Sequence, residues 1–515
     1  MNTQTPEKVV IVGAGVAGSM TAAYLKAAFR DRISVTLVDL PADGVPDEDK
    51  GEDEDEDEST LGDFGQFFDF LGLAEEDWMP ACDATYKLAV RFQDWSGTGR
   101  HFYLPFEPVR EADGFPLTEW WLHGGPSARF DRDCFVAAWL CDAGRGPWPV
   151  GDTAAGAGAA PLPYGYHCAA RPLARLLAGY AVDRGARRLA GGAVGVRLDA
   201  RGWIECLVVE GHGEVAGDLF VDCTGERGLL LHQALKVPRL SYQDTLPGDG
   251  VVTLRVPADM RARGIPPYTT VCAQGAGWIW TVPLSDRIGT GYAYAGEYCT
   301  PEEAERTLRE YAGPEAAGVP ARHGRLVSGR SQEAWRHNCV AVGPPAGRVE
   351  PLGTTGVASF AHHALEQLVR HFPGADFSPR LRDGYNVAVA RSLDGAREFL
   401  TLHYQGAARD DTQYWRDTKT RPLPGRIAEH LSRWRVLPPY AEPSPLHPRG
   451  LPRHAYASLL IGTGAVPLRP PAALSLVDDT VARKEFAAVR DLGRALTEAL
   501  PTPYEYIARR PSASG

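Results

Sequence analysis

Residues 8–18 read KVVIVGAGVAG, and Gly13, Gly15 and Gly18 stand at GxGxxG spacing directly after an apolar run rich in Val and Ile. The segment that follows, Val16 to Phe29, repeats Met20, Ala23, Leu25 and Phe29 at helical spacing, and ISVTLVD (33–39) is a second buried strand. Strand, glycine turn, helix and strand open a βαβ unit. Glycines at those places permit a tight turn and close approach of a pyrophosphate, whose charge then faces the helix N-terminus. Asp39 ends the second strand 21 residues after Gly18, placed to accept a ribose hydroxyl. The chain is therefore expected to bind a dinucleotide. Only one such fingerprint occurs, so it does not hold both FAD and a nicotinamide by this device. If the ligand is FAD, electrons come from a separate flavin reductase.

Composition narrows the setting. The chain has 515 residues, 44% hydrophobic and 23% charged, ordinary for a globular enzyme. No stretch approaches the ~20 apolar residues of a membrane span, and the start MNTQTPEKVVIVGAG lacks the basic and apolar regions of a signal peptide. A cytoplasmic location without membrane insertion is expected. Nine scattered cysteines with no CxxC pair read as reduced, mostly buried thiols, and no metal site is expected. The net charge is -11, but Asp47 to Glu58 holds ten acids and one lysine, leaving the remainder nearly neutral. That run reads as a solvated loop (43–60), with docking of a cationic partner as the alternative. Nothing basic suggests nucleic acid.

Further along, FGQFFDFLGLAEEDWMP (64–80) reads as a helix and Tyr86–Trp95 as a strand or ribbon. A Gly/Ala/Pro-dense loop or lid spans 143–163, and 170–186 is an amphipathic helix. Strands run to about residue 225, where LFVDCTG (219–225) ends in a small-residue turn, and again across 269–295. From about residue 395 the pattern is helical, interrupted by a proline-rich stretch at 437–452. Two units are expected: 1–395, a dinucleotide-binding module with an interleaved substrate-side sheet, and 396–515, a mainly helical substrate-side module.

GWIWTVP (277–283) resembles the GWxWxIP signature of flavin-dependent tryptophan halogenases, with Val282 for the usual Ile. Six further blocks resemble that family in family order: FFDFLGLAEEDWMP (67–80), TYKLAVRFQDW (85–95), DGFPLTEWW (113–121), VDCTGERGLLLHQAL (221–235), EPLGTTG (350–356) and DDTQYW (410–415). The resemblance implies an α/β fold. An FAD-binding doubly wound domain is interleaved with a mixed β-sheet module, and a mainly helical C-terminal module follows. It implies reduced FAD, O2 and chloride or bromide as cofactors, a separate flavin reductase, and an indole-containing substrate. In the family, an oxidised halide (hypochlorous acid) travels from the flavin to a lysine that delivers it to the ring. That lysine matches Lys87. A lysine in an apolar stretch is unusual because burying an unpaired ammonium is costly; the plain reading is a snorkelling edge-strand lysine. Trp278 and Trp280 match the wall that keeps substrate from the flavin. Thr355 and Gly356 match the segment whose backbone N–H groups hold halide, with Pro344 and Val357 near the flavin, and Leu104 and Phe106 match the substrate pocket.

Three departures stand out. Tryptophan halogenases usually carry EPLEST where this chain has EPLGTT, so Gly353 replaces the glutamate that works beside the lysine. Glu350 is the motif's first acid and does not automatically substitute. Leu104 stands where free-tryptophan enzymes tend to show a histidine, and the cluster that grips the amino acid backbone is not recognisable in 438–456. These departures suggest an indole carried on something larger, such as tryptophan in a peptide, and point to the subgroup acting on lanthipeptide precursors. Free tryptophan, a phenol or a pyrrole are the alternative acceptors. The rival activities are a flavin monooxygenase, which needs neither Lys87 nor the indole wall, and a flavin-binding protein without halogenase activity.

Overall fold

The computed structural model describes residues 6–40, 57–97, 99–147, 162–192, 194–353, 356–425, 427–439, 453–464 and 466–508. Most of the acidic run, the centre of the 143–163 loop and much of 437–452 lie outside the described residues.

The opening strand, Lys8–Val12, sits inside a six-stranded sheet because Val9 to Val12 are buried on both faces, as a central parallel strand requires. It pairs in parallel with Ser34–Asp39 on one side and Leu219–Asp222 on the other. Arg187–Ala190 and Cys339–Ala341 extend the parallel array, and Trp335–Arg336 closes one edge antiparallel. Helices Val16–Phe29, Ala170–Asp183 and Val357–Arg370 pack with this sheet in one core. The turn after Lys8–Val12 therefore opens at the C-terminal ends of the parallel strands, where such sheets bind ligands.

A seven-stranded sheet forms the second body, in the order Arg322–Arg325, Gly250–Pro257, Arg287–Tyr294, Gly277–Pro283, Tyr268–Gln274, Ala89–Gln93 and His101–Pro105. All its pairings are antiparallel except that of Tyr268–Gln274 with Ala89–Gln93. One of its faces packs on the C-terminal helices in a core that includes Trp95, Trp278, Trp415 and Trp434. The 28-residue helix Pro379–Gly406 runs unbroken through residue 395, so one rigid rod reaches from the dinucleotide side to the helical side.

A third, small sheet joins these bodies: Glu58–Ser59 and Thr85–Lys87 flank Gly165–Cys168, both antiparallel to it. The expected ribbon at Tyr86–Trp95 is thus two strands. Leu88 donates its N–H to the Pro267 carbonyl, which turns the chain from the small sheet into the large one. The expected helix at 64–80 is likewise two, Gly65–Leu71 and Glu75–Trp78, broken where Gly72 takes φ +69°. The end of the acidic run is not a solvated loop. Asp57 lies against Arg287 and Arg255, and Glu58 is buried in strand. All nine cysteines are free and buried. Among the described residues no helix is long and apolar enough to cross a membrane.

Candidate active site

The glycine turn is built by close approach. Gly13 takes φ +99°, and a Cβ there would lie 2.4 Å from the Cys223 carbonyl oxygen; one on Gly18 would lie 1.7 Å from the Gly13 carbonyl oxygen. Only glycine lets helix Val16–Phe29 start this tightly against the end of Leu219–Asp222. Gly15 faces open space at the helix N-cap, where no side chain caps the orphan N–H groups. It borders a cavity of about 340 Å³ whose wall also includes Val16, Ala17, Cys223, Gly343, Pro344 and Val357. Uncapped amides at a side-chain-free rim fit a pyrophosphate, so the residues present fit FAD. Asp39 is not in that wall: it ends its strand ion-paired with Arg188 of the neighbouring strand.

Across the cavity stands Trp280, with Trp278 beside it. Trp278 and Trp280 project from the same side of Gly277–Pro283, their ring centroids 5.6 Å apart. Trp280 borders the cavity and lies over Gly291, where a Cβ would come within 2.3 Å of its ring. Trp278 is held from behind. Its indole N–H donates to the Tyr404 hydroxyl at 2.9 Å, and Tyr404 donates to the Glu350 carboxylate. Glu350 also accepts the Gly248 N–H at 2.9 Å, and burial raises its pKa despite these donors. Its carboxylate braces the wall and takes no part in the lysine's hydrogen bonds.

Lys87, the last residue of its short strand, is wholly buried, which excludes the snorkelling reading. Its ammonium donates to the Gly353 carbonyl at 2.6 Å, the Ser59 hydroxyl at 2.8 Å and the Thr60 carbonyl at 3.1 Å. The Phe106 ring lies 5.3 Å away. Burial, with no carboxylate among these partners, holds its pKa well below the usual lysine range. Leu104 is buried in the second core, paired with Val90 on the strand that leads to Phe106.

Gly353 takes φ +77°, and a Cβ there would press on Val90 at 3.0 Å. The left-handed backbone that turns its carbonyl to Lys87 also strains any side chain there, which would need Val90 to give way. Thr355 lies outside the described residues. Gly356 caps helix Val357–Arg370 without a side-chain bond and borders the cavity, with Val357 beside it. The Glu58 carboxylate approaches the same helix end, 3.4 Å from the Ala358 N–H.

Known proteins resemble this chain over nearly its whole length. The tryptophan halogenase family matches residues 8–478. The chain belongs to that family. It is 56% identical to the tryptophan 6-halogenase SttH of Streptomyces toxytricini over 99% of both chains, and SttH's crystal structure superposes with a TM-score of 0.91 over 98% of this chain and 100% of that one. It is 54% identical to the 7-chloro-L-tryptophan 6-halogenase KtzR of Kutzneria sp. (strain 744), over 97% of this chain and 99% of that one. The halogenase is thus a flavin-dependent enzyme that takes a tryptophan-type indole, oxidises halide with reduced flavin and O2, and depends on a separate flavin reductase. The α/β architecture with interleaved sheet and C-terminal helices is the family's.

The lanthipeptide subgroup is not supported. MibH, a lanthipeptide tryptophan 5-halogenase, shares 28% identity with a TM-score of 0.82 over 98% of this chain and 94% of that one, far less than SttH. A peptide substrate does not follow from the departures at Gly353 and Leu104. Sequence reasoning also passed over Ser59, Thr269 and His167, which cluster behind Lys87. Ser59 was masked by the acidic run, and nothing in their local patterns sets Thr269 or His167 apart.

Proposed function

We propose that this halogenase chlorinates the indole of tryptophan as the amino acid, at C6, with Lys87 delivering the chlorine. The observation that carries the proposal is the Lys87 ammonium, fully buried between the cavity wall and Phe106. The substrate and ring position rest on SttH and KtzR, both 6-halogenases of tryptophan or chlorotryptophan matched over nearly the whole chain.

When bound, the reduced flavin supplies, with O2, the two-electron oxidation of chloride to hypochlorous acid. The chain's residues do the rest. Gly13, Gly15 and Gly18 would bring the helix N-terminus to the pyrophosphate, and Pro344 and Val357, which line the same cavity, would hold the flavin there. Backbone N–H groups at Thr355 and Gly356 would hold the halide. The Trp278–Trp280 wall excludes the indole from that chamber, so only a small oxidant passes. Lys87 binds it by hydrogen bond or as a chloramine and sets chlorine against one ring carbon, while Phe106 and Leu104 shape the pocket that fixes which carbon is presented.

The test is incubation with FAD, a flavin reductase, NADH, O2 and chloride, offering tryptophan, 7-chlorotryptophan and an indole-bearing peptide, with the product's ring position read by NMR. Chlorination of the free amino acids at C6 is expected. Labelling of the peptide alone, or oxygen insertion in place of chlorine, would overturn the proposal. Lys87→Ala should lower indole chlorination by about 10²-fold or more while hypochlorous acid still reaches a 1,3-diketone trap.

A further inference from the structure

Behind Lys87 runs an unbroken line of hydrogen bonds that the reaction as described does not use. The Lys87 ammonium donates to Ser59 Oγ at 2.8 Å, Ser59 Oγ lies 2.7 Å from Thr269 Oγ1, and Thr269 Oγ1 lies 2.9 Å from His167 Nε2. On the far side, His167 Nδ1 lies 3.2 Å from Thr85 Oγ1, which in turn lies 2.6 Å from the Pro283 carbonyl oxygen. Lys87, His167, Thr85 and Thr269 are all buried.

The direction of every proton in this line follows from its end. A carbonyl only accepts, so the single proton of Thr85 is committed to Pro283, and Thr85 Oγ1 accepts from His167 Nδ1–H. His167 is therefore the Nδ1–H tautomer with a lone pair on Nε2. Thr269 must donate its proton to that lone pair, which makes Ser59 the donor to Thr269 and the acceptor from Lys87. The bonds all point one way, from ammonium to imidazole. Burial lowers the proton affinity of His167, and the Lys87 charge lowers it further, so the two bases compete for one proton in a site where neither is solvated.

We propose that Ser59 and Thr269 relay a proton from Lys87 to His167, making His167 the positioning residue that sets Lys87 as a neutral amine when the oxidant arrives. This rests on the reading of Lys87 given above. In the forward step His167 Nε2 takes the Thr269 proton, Thr269 takes that of Ser59, and Ser59 takes one from the ammonium. The Ser59 hydroxyl has a second acceptor, the Gly353 carbonyl at 3.2 Å, to which it turns and frees the amine lone pair. That lone pair forms the N–Cl bond with hypochlorous acid, an N–H and the O–Cl bond break, and water leaves. When the ring carbon takes the chlorine, the N–Cl bond breaks and the nitrogen recovers a proton along the line from imidazolium. The proton lost by the ring restores the ammonium. Hypochlorous acid and arene have become chloroarene and water, with both bases as they began. No carboxylate beside the lysine is required, which accounts for a working site with Gly353 in the glutamate's place.

The experiment measures chlorotryptophan formed per hypochlorous acid generated, the acid being counted with a 1,3-diketone trap in the complete enzyme with its reductase. Thr269→Val keeps the side chain's shape and removes the hydroxyl; Thr269→Ser keeps the hydroxyl. The expected result is a drop of tenfold or more in the ratio for Thr269→Val and recovery to within about threefold of the parent for Thr269→Ser. His167→Gln, which can accept from Thr269 and donate to Thr85 but cannot hold the proton, should fall with Thr269→Val. A Ser59→Ala and Ser59→Thr pair repeats the comparison one link nearer the lysine and decides the matter if Thr269→Val does not bind flavin. An unchanged ratio in Thr269→Val, or equal loss in Thr269→Val and Thr269→Ser, overturns the relay alone. A parent enzyme that produces hypochlorous acid but chlorinates no indole overturns the reading of Lys87 and the relay with it.

Discussion

At position 353 the backbone carbonyl meets the Lys87 ammonium, and the φ of +77° that aims it there cannot accept a glutamate without moving Val90. A second buried acid near the pocket has a consequence in solution. Glu107 follows Phe106 and accepts the N–H of Ala137 at 2.7 Å, near the start of helix Val136–Asp142. Burial outweighs the backbone donors Ala137 and Val136 and pushes its pKa up to about 7. A carboxyl that ionises later in the folded than in the unfolded chain stabilises fully below its unfolded value near 4.5, and that contribution is lost as pH rises through about 7. Glu107→Gln should therefore be near neutral for stability at pH 4.5 and stabilising by up to about 3 kcal/mol above pH 7, taking ~1.4 kcal/mol per pKa unit. Melting temperatures of both proteins across pH 4.5–8 check this; a constant difference over that range would refute it.

Among elements, the strand Gly277–Pro283 and its neighbour Arg287–Tyr294 show how a wall residue is held from beneath. Trp280 pairs across from Gly291, whose missing side chain is the space the indole occupies. Gly291→Ala should displace the ring toward the cavity, cost about 1–3 kcal/mol, and weaken flavin binding, read by denaturant melts and flavin titration. Wild-type flavin affinity in that variant would count against the packing argument. Local pattern was enough for the elements whose periodicity is uninterrupted. Helix Val16–Phe29 has the bounds its spacing implies, and the GxGxxG turn sits where its glycines require. It was not enough where a distant partner decides. The split at Leu88 is set by the Pro267 carbonyl, and Ser59, Thr269 and His167 meet only because three strands far apart in sequence converge. Lys87 was legible through its flanking motif, but its company of carbonyls and hydroxyls was not. For the same reason the ion pair of Asp39 with Arg188 was not legible.

On the scale of the whole molecule, the cavity is a shared boundary between the parallel sheet and the seven-stranded sheet, so a ligand there ties both bodies together. FAD at about 100 times its Kd should add about 2.7 kcal/mol, a rise of about 2–3 °C in Tm for a chain of this length. Gly18→Ala should abolish that rise, since the new methyl would occupy the Gly13 carbonyl's place. A Tm unmoved by FAD in the parent chain would show that the glycine turn does not hold the flavin.

The wall of that cavity is drawn from segments scattered between Gly15 and Phe360. During synthesis the glycine turn emerges almost at once, whereas the last piece of enclosure leaves the ribosome only after some two-thirds of the chain has been made. A nascent or truncated chain can thus carry the first flavin contacts but no barrier around them. Confinement of a corrosive oxidant is consequently a property that no early fragment of the polypeptide can have, and it arises only when distant segments have met around the glycine turn.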